Sequence, residues 1–432
     1  MTQDTFFEVR IDSLAYNGYG VGRVDGKVAF VPLTAPGDVI RGRVVEEKKQ
    51  LLFGELETLL KPSANRRPPP CPVFGACGGC HWQHLPYDLQ VAWKERIFRD
   101  MLQRGVNVPE EVFVPAVPSR REWGYRNRMQ FKCRLTKQGF IAGFYRRQSH
   151  FVIAIDSCPL ADSAINETLG RYRRLMGRSS HGDRIPQIDI ATDEEGTVRV
   201  VVHHLLKEDG ALVDHLLPEA IAAGDSLYLQ AGRNHTLRRL HGRGRLFIHP
   251  LAAAEQPRLG HEAGSFSQIN AGQNRRLVGE LVDMAGLTGK ERVLDLFCGI
   301  GNLSLPLALF AGEVVGVENY PAAVAAAERN AAENSIANAR FLVGDANTWQ
   351  AAPESFEVVV LDPPREGAYA TVNGLLRLKP QKIIYVSCNP ATLARDLVPL
   401  VHCGYEVSRA RAYDFFPQTY HIEGLVLLER RK

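Results

Sequence analysis

The spacing of hydrophobic and polar positions changes twice along this 432-residue chain, and the changes divide it into three parts. From about residue 5 to 60 the pattern alternates, as in Phe7-Glu8-Val9-Arg10-Ile11. Gly18-Tyr19-Gly20 and Asp25-Gly26 supply turns before Val28-Ala29-Phe30-Val31-Pro32. A period of two with glycine turns predicts the short strands of a small barrel over 1–62. Residues 62–70, which end in Arg66-Arg67-Pro68-Pro69-Pro70, read as a stiff basic linker, because consecutive prolines extend and cannot continue a sheet. The stretch 63–260 mixes periods. An amphipathic helix over about 87–104, expected to pack on the last domain, and strands that include 198–203 and 226–229 predict an α+β domain. From residue 270 a helix over 275–285 leads into apolar runs at 292–297, 313–318, 357–361 and 382–386. Helical stretches at 303–310, 322–334 and 392–401 separate them, so a doubly wound, mostly parallel α/β sheet is expected over 261–432.

Composition narrows the class. Hydrophobic residues make up 45% of the chain, but charges interrupt them everywhere. No segment approaches the roughly 18 to 20 unbroken apolar residues of a membrane span. Met1-Thr2-Gln3-Asp4-Thr5 does not begin a secretory signal, so a cytoplasmic location without membrane attachment is expected. In a reducing compartment the eight cysteines point to metals or catalysis rather than to disulfides. The net charge of +4 decides little, but residues 63–150 carry 15 Lys/Arg against 6 Asp/Glu. Arg120-Arg121-Glu122-Trp123-Gly124-Tyr125-Arg126-Asn127-Arg128 interleaves cations with aromatics. That composition suits phosphate contact and base stacking, with Arg126 and Arg128 as the expected RNA contacts. A solvated surface with aromatic anchors is the alternative. A monomer is the expected state.

Three cysteines, Cys71, Cys77 and Cys80, form a C-x5-C-x2-C run with glycines that let the backbone wrap around one centre. Cys158, followed by Pro159, is the best fourth ligand. The set suits an iron–sulfur cluster, and four thiolates also suit tetrahedral zinc. The C-x3-C-x2-C spacing expected of a radical-generating cluster is missing. Cys133 and Cys403 read as packing residues.

The run Leu294-Asp295-Leu296-Phe297-Cys298-Gly299-Ile300-Gly301-Asn302 is a buried strand entering a GxG turn. A dinucleotide fingerprint would place its third glycine at Ser304. Its absence favours S-adenosylmethionine, with Glu318 at the next strand end accepting the ribose hydroxyls and Asp345 after the third strand. A plain structural turn is the alternative. Asp362-Pro363-Pro364-Arg365 closes the strand before the last one. Acidic-proline turns of this kind also serve enzymes that methylate amino groups, so adenine or glutamine methylation stays open here. Cys388, in Ser387-Cys388-Asn389-Pro390, stands where a strand hands over to a helix, a place expected to lower its pKa and make it nucleophilic. Carbon 5 of a pyrimidine needs such a nucleophile at carbon 6 before it can accept a sulfonium methyl. The base that then removes the carbon-5 proton is expected at Glu423, its pKa raised by apolar neighbours. A packing cysteine and a strand-end surface carboxylate are the plainer readings.

The series Phe266-Ser267-Gln268-Ile269-Asn270, Leu294 to Gly299, Asp362 to Gly367, Ser387 to Thr392 and Phe416 to Glu423 resembles the RNA 5-methyluridine methyltransferases, in particular their branch acting on 23S ribosomal RNA. The resemblance spans nearly the whole chain. It implies an N-terminal OB-like TRAM barrel, a central α+β domain with a [4Fe-4S] cluster on Cys71, Cys77, Cys80 and Cys158, and a Rossmann-like methyltransferase domain. The tRNA-acting relatives typical of bacteria lack the barrel and the cluster. Carried over by position, Gln268, Phe297, Asn302, Glu318 and Asp362 hold the methyl donor or shape its pocket. Cys388 becomes the nucleophile and Glu423 the base, while Phe266 and Pro364 sandwich a uracil flipped from a single-stranded loop. Some members have Asp-Pro-Ala-Arg where this chain has Asp362-Pro363-Pro364-Arg365. The rivals are an amino-methyltransferase, a tRNA uridine methyltransferase, and an RNA-binding assembly factor whose sheet has lost catalysis.

Overall fold

The structure, a computed structural model, describes residues 5–232, 236–252, 257–348 and 355–431. Residues 1–4, where the N-terminal signal was sought, lie outside the described residues.

Strands β1 (Phe6–Leu14), β2 (Tyr19–Val24), β3 (Lys27–Pro32), β4 (Val39–Glu47) and β5 (Leu51–Lys61) close into a barrel in the order β1-β2-β3-β5-β4. The period of two does the work. Phe7, Val9 and Ile11 point inward and pack with Ala29, Val31, Ile40 and Leu52, while Glu8 and Arg10 stay exposed. Gly42 and Gly54 are required here, because a Cβ at either would stand 2.4 or 2.5 Å from the Phe7 ring.

Helix α1 (Tyr87–Val106) and strand β6 (Phe113–Val117) come next in the chain but belong to the C-terminal layer. The middle then builds its own sheet from β7 (Arg128–Thr136), β8 (Gly139–Tyr145) and β9 (Val152–Ala154). After α2 (Ser163–Gly177) come β10 (Gln187–Thr192) and β11 (Val198–His204), and after α3 (Gly210–Ala223) come β12 (Ser226–Ala231) and β13 (Arg238–Arg239). Their order is β13-β12-β11-β10-β7-β8-β9. Phe131, Ile188, Ile190, Val200 and Val202 pack beneath Ile165, Leu169 and Leu216 of α2 and α3, which leaves the opposite sheet face uncovered by these helices. A short ribbon, β14 (Arg245–Ile248) and β15 (Leu259–Glu262), leads on.

The C-terminal domain runs α4 (Ala271–Ala285), β16 (Arg292–Leu296), α5 (Ser304–Ala308), β17 (Glu313–Glu318), α6 (Pro321–Glu333), β18 (Ala339–Val343), β19 (Val358–Leu361), α7 (Tyr369–Leu378), β20 (Lys382–Ser387), α8 (Pro390–His402), β21 (Tyr405–Tyr413) and β22 (Glu423–Arg430). The sheet order is β18-β17-β16-β19-β20-β22-β21-β6, parallel through its first five strands, with β22 antiparallel to β20 and β21. Both faces are buried, as a parallel sheet requires. Leu294, Leu296, Val359 and Leu361 face one core and Val293, Val358 and Val360 the other. α1 lies against α8, close enough that a Cβ on Gly105 would meet the Ala394 Cβ at 2.8 Å. Among the described residues no helix is long and apolar enough to cross a membrane.

Candidate active site and cysteine cavity

Strand register gathers the predicted residues at one edge of the sheet. Leu296 pairs with Val317 on one side and Leu361 on the other, so Phe297, Glu318 and Asp362 leave neighbouring strands at one level. Ser387 pairs with Gly424, which sets Cys388, one residue on, opposite Glu423, one residue back. All stand at the carboxyl ends of the parallel strands, where α/β enzymes place ligands. Gly424 admits no side chain, because a Cβ would lie 2.5 Å from Phe98 of α1.

The glycine turn is built for close approach. Phe297 has φ +68°, a left-handed conformation that a bulky residue adopts at a cost, and Gly299 and Gly301 follow at +54° and +89°. The Glu318 carboxylate accepts from the amides of Gly299 at 3.2 Å and Tyr320 at 2.9 Å. Asn302 exchanges amide hydrogen bonds with Asn274 at 2.8 and 3.0 Å. Gln268 accepts on its main-chain oxygen from Asn127 Nδ2 at 3.1 Å. Asp345 is exposed and accepts from the Asn347 amide at 2.9 Å. Phe266 is 70% exposed, and Pro364 is exposed as well.

Electrostatics at Cys388 and Glu423 differ from those of a thiolate waiting at a helix end. Glu423 is 6% exposed, and burial, then the neighbouring Asp362, hold its carboxyl well above the usual range. Burial pushes Asp362 up to about 7. Cys388 is pushed up to about 12 by burial and by Glu423 and Asp362, which outweigh Arg365 and the cysteine's own amide. The expected lowering by the helix end is therefore corrected. The helix cap is Asn389, whose side chain accepts from the Ala391 amide, and the thiol sits one residue outside it.

Several residues around this site were given no role in the sequence, although most of them lie within the motifs quoted above. Tyr16 of the barrel donates its hydroxyl to the Cys388 carbonyl at 3.4 Å and meets Tyr420 ring to ring at 5.6 Å. The Arg365 carbonyl accepts from Asn389 Nδ2 and Thr392 Oγ1 at 3.2 and 3.3 Å, which ties the two turns together. Gln418, at φ +70°, accepts on its carbonyl from the amides of His81 and Trp82 and on its side chain from Arg67 and Gln90. Gln418 is recognisable only once residues 67–90 are known to lie beside it.

Cys71, Cys77, Cys80 and Cys158 line one cavity of about 130 Å3, with Met129, Phe144, Ile155 and Leu160 among its other walls. Among the described residues no three Cys, His, Asp or Glu side chains converge on a single ion. Arg126 also lines this cavity, its Nε buried without a partner, whereas Arg128 donates to the Ser265 carbonyl at 3.1 Å. Cys133 is buried, and Cys403, read as a packing residue, is exposed because it terminates α8.

Comparison with known proteins matches a TRAM domain at residues 5–56 and a methyltransferase domain at 287–394. The 23S rRNA (uracil(1939)-C(5))-methyltransferase RlmD of Alkalilimnicola ehrlichii is 36% identical over 98% of this chain and 96% of its own length. That of Aeromonas hydrophila is 35% identical over 100% and 98%. The chain belongs to the RlmD family of RNA uracil-C5 methyltransferases. It joins a TRAM barrel to a methyltransferase sheet. The Pyrococcus abyssi tRNA (uracil-54, C5)-methyltransferase, solved with S-adenosyl-L-homocysteine, superposes with a TM-score of 0.77 at 26% identity. It covers 98% of this chain and 100% of its own. The likeness in fold therefore extends over nearly the whole chain.

Proposed function

We propose that this enzyme methylates carbon 5 of a uridine in 23S ribosomal RNA with S-adenosylmethionine as donor, working in the cytoplasm. The observation that carries the reading is the β20–β22 register that opposes Cys388 and the buried Glu423 at the cofactor end of the sheet. Gln268, Phe297, Asn302, Glu318, Asp345 and Asp362 would hold the methyl donor, which supplies an electrophilic sulfonium methyl. Phe266, whose ring is free to stack, and Pro364 would hold the flipped uracil.

The Cys388 thiol gives up its proton to water as Sγ bonds to carbon 6 of the ring, and the electron pair of the 5,6 double bond moves to an enolate. Carbon 5 would then take the methyl group, whose bond to the donor sulfur breaks with the electron pair left on that sulfur. Glu423 removes the proton from carbon 5, the carbon 6–sulfur bond breaks, and the double bond returns. Burial suits Glu423 to that step, because a carboxyl with a raised pKa is a stronger base once ionised.

The cysteine cavity fits a [4Fe-4S] cluster. Its four cysteines line one cavity, close enough for their charges to raise one another's pKa, and Arg126, whose buried Nε has no partner, lines it with a cation that suits a group of anionic thiolates. Cys71, Cys77, Cys80 and Cys158 would be the ligands.

The test uses 23S transcripts carrying tritium at carbon 5 of uridine. Wild type is expected to release tritium, Cys388→Ala to release none, and Glu423→Gln to accumulate a protein–RNA adduct. Tritium release by Cys388→Ala would end the covalent reading, and methylation without release would favour an amino-methyltransferase. The full-length likeness to a tRNA-acting enzyme favours tRNA as the second substrate class, so tRNA transcripts are assayed in parallel.

A further inference from the structure

The uncovered face of the central sheet carries a feature that the reaction above does not use. β10 pairs with both neighbours so that Ala191 stands between Arg128 of β7 and Arg199 of β11 in one row across the sheet. In the next row Asp189 stands between Gln130 and Val201. The small Ala191 leaves room between the two guanidinium groups. A cavity of about 290 Å3 opens there, roofed by Gly264, Ser265 and Phe266 of the loop that leads to α4.

Two cations, Arg128 and Arg199, and one carboxylate, Asp189, line this cavity. Arg199 is 4% exposed and donates to the His261 carbonyl at 3.2 Å, while Arg128 is half-buried and donates to the Ser265 carbonyl. Asp189 already accepts from Gln187 at 2.6 Å and Gln130 at 3.4 Å and meets His203 at 3.0 Å, and Asp193, whose charge also reaches Arg199, accepts from the amides of Glu195, Thr197 and Phe247. Among the described residues neither arginine forms an ion pair. Burial lowers both, Arg199 to about 10; the charge of Arg128 adds to the lowering at Arg199 and that of Arg126 to the lowering at Arg128, while Asp189 acts in the opposite direction on each. A buried charge is normally paired, so two guanidinium groups without an ion pair, beside one carboxylate already held by other donors, leave an excess of positive charge that a further anion would offset. The fork geometry of arginine suits the oxygens of a phosphate, and the cavity lies directly behind the exposed Phe266 ring.

We propose that Arg128 and Arg199 bind a backbone phosphate of the RNA strand adjoining the flipped uridine, anchoring the strand so that Phe266 meets the base. This rests on the functional reading above. Because a phosphate contact carries no sequence information, it acts on affinity and register rather than on base choice.

The experiment measures binding of full-length protein to 23S transcripts over a series of KCl concentrations, for wild type, Arg128→Gln and Arg199→Gln. Each substitution is expected to weaken binding and to reduce the slope of log affinity against log salt by about 0.7, the value for one phosphate on a single strand. S-adenosylmethionine affinity should stay at the wild-type value in calorimetry. Thermal stability without RNA should hold or rise, because an uncompensated charge has been removed, whereas a merely structural arginine would lower it. If Arg199→Gln fails to fold, the half-exposed Arg128→Gln carries the test. An unchanged slope in a folded variant overturns the phosphate site, and so does weakening confined to transcripts with one particular base beside the uridine. Absence of tritium release by wild type would instead overturn the functional reading, which keeps the two failures apart.

Discussion

Asp295 and Asp362 show how burial at single residues sets the pH behaviour of this molecule. Asp295 is fully buried on β16, accepts a hydrogen bond from the Ser304 hydroxyl, and is pushed up to about 7 by burial first of all. An unfolded aspartate titrates near 4, so between about pH 4 and 7 the folded protein holds the proton more tightly than the unfolded chain. Stability contributed by this group is therefore greatest below pH 4, falls as pH rises through that window, and is fully lost above 7. The full shift corresponds to a penalty on the order of 4 kcal/mol above pH 7. Asp295→Asn removes the ionisation and keeps the shape. It is expected to raise the melting temperature at pH 8 and to change it little at pH 4. An equal effect at both values, in paired thermal melts, would show that the charge is not the cause. Asp295 was visible in the sequence as part of a strand-to-glycine turn. Its pKa was not, because the apolar wall around it comes from strands far apart in the chain. The same holds for Cys388: its turn was legible, but the two carboxylates that raise its pKa follow from strand register.

At the scale of elements, the segment between β21 and β22 leads into Glu423, the first residue of β22, and has no regular structure of its own. Neighbours hold it in place. Lys94 of α1 is buried and donates to Asp414 at 2.6 Å and to the Phe416 carbonyl at 3.0 Å. Gln418 exchanges main-chain and side-chain hydrogen bonds with Gln90, each at 2.9 Å, and its carbonyl accepts from the two amides that follow Cys80. The cysteine cavity and the presumed base are thus two short links apart along the backbone. Gln418→Ala would take one of several acceptors from the buried Gln90 and the half-buried Arg67 and an acceptor and donor from the segment itself, at a cost of about 1 kcal/mol. It is expected to lower kcat, by displacing Glu423, while leaving S-adenosylmethionine affinity intact. Wild-type turnover in that variant would show that the segment keeps its shape unaided. The alternating strands and helices of this layer were readable from apolar runs alone, since each strand is buried on both faces. The placement of α1 and β6 in the same layer is a long-range matter, decided by contacts such as Phe98 against Gly424 that no local pattern records.

Across the whole molecule, the stiff basic linker read from residues 62–70 acts as a fastening. Asp38 of the barrel is fully buried and accepts from the amides of Ala35 at 2.6 Å and Ser63 at 2.8 Å and from Arg66 Nε at 2.9 Å. Arg67 continues the seam. It donates to the Gln83 carbonyl at 3.1 Å, to Glu122 at 3.1 Å and to Gln418 at 3.0 Å, so its charge is spent inside the protein. Composition suggested cations free for RNA in this stretch, and these two are not, because their partners come from all three parts of the chain. A barrel held this way presents Tyr16 to the Cys388 turn in a fixed position, which a flexible tether could not do. Asp38→Ala removes the anion under Arg66 and the acceptor for two amides, a loss of about 3 kcal/mol or more at the seam. The peptide bond after Arg66 is therefore expected to resist trypsin in wild type and to be cut within minutes in Asp38→Ala. The catalytic layer, which makes no contact with Asp38, should keep its affinity for S-adenosylmethionine. Equal cutting in both proteins would mean that the barrel swings freely. The cofactor measurement then shows whether any loss of RNA methylation in the variant comes from a released barrel or from a damaged sheet.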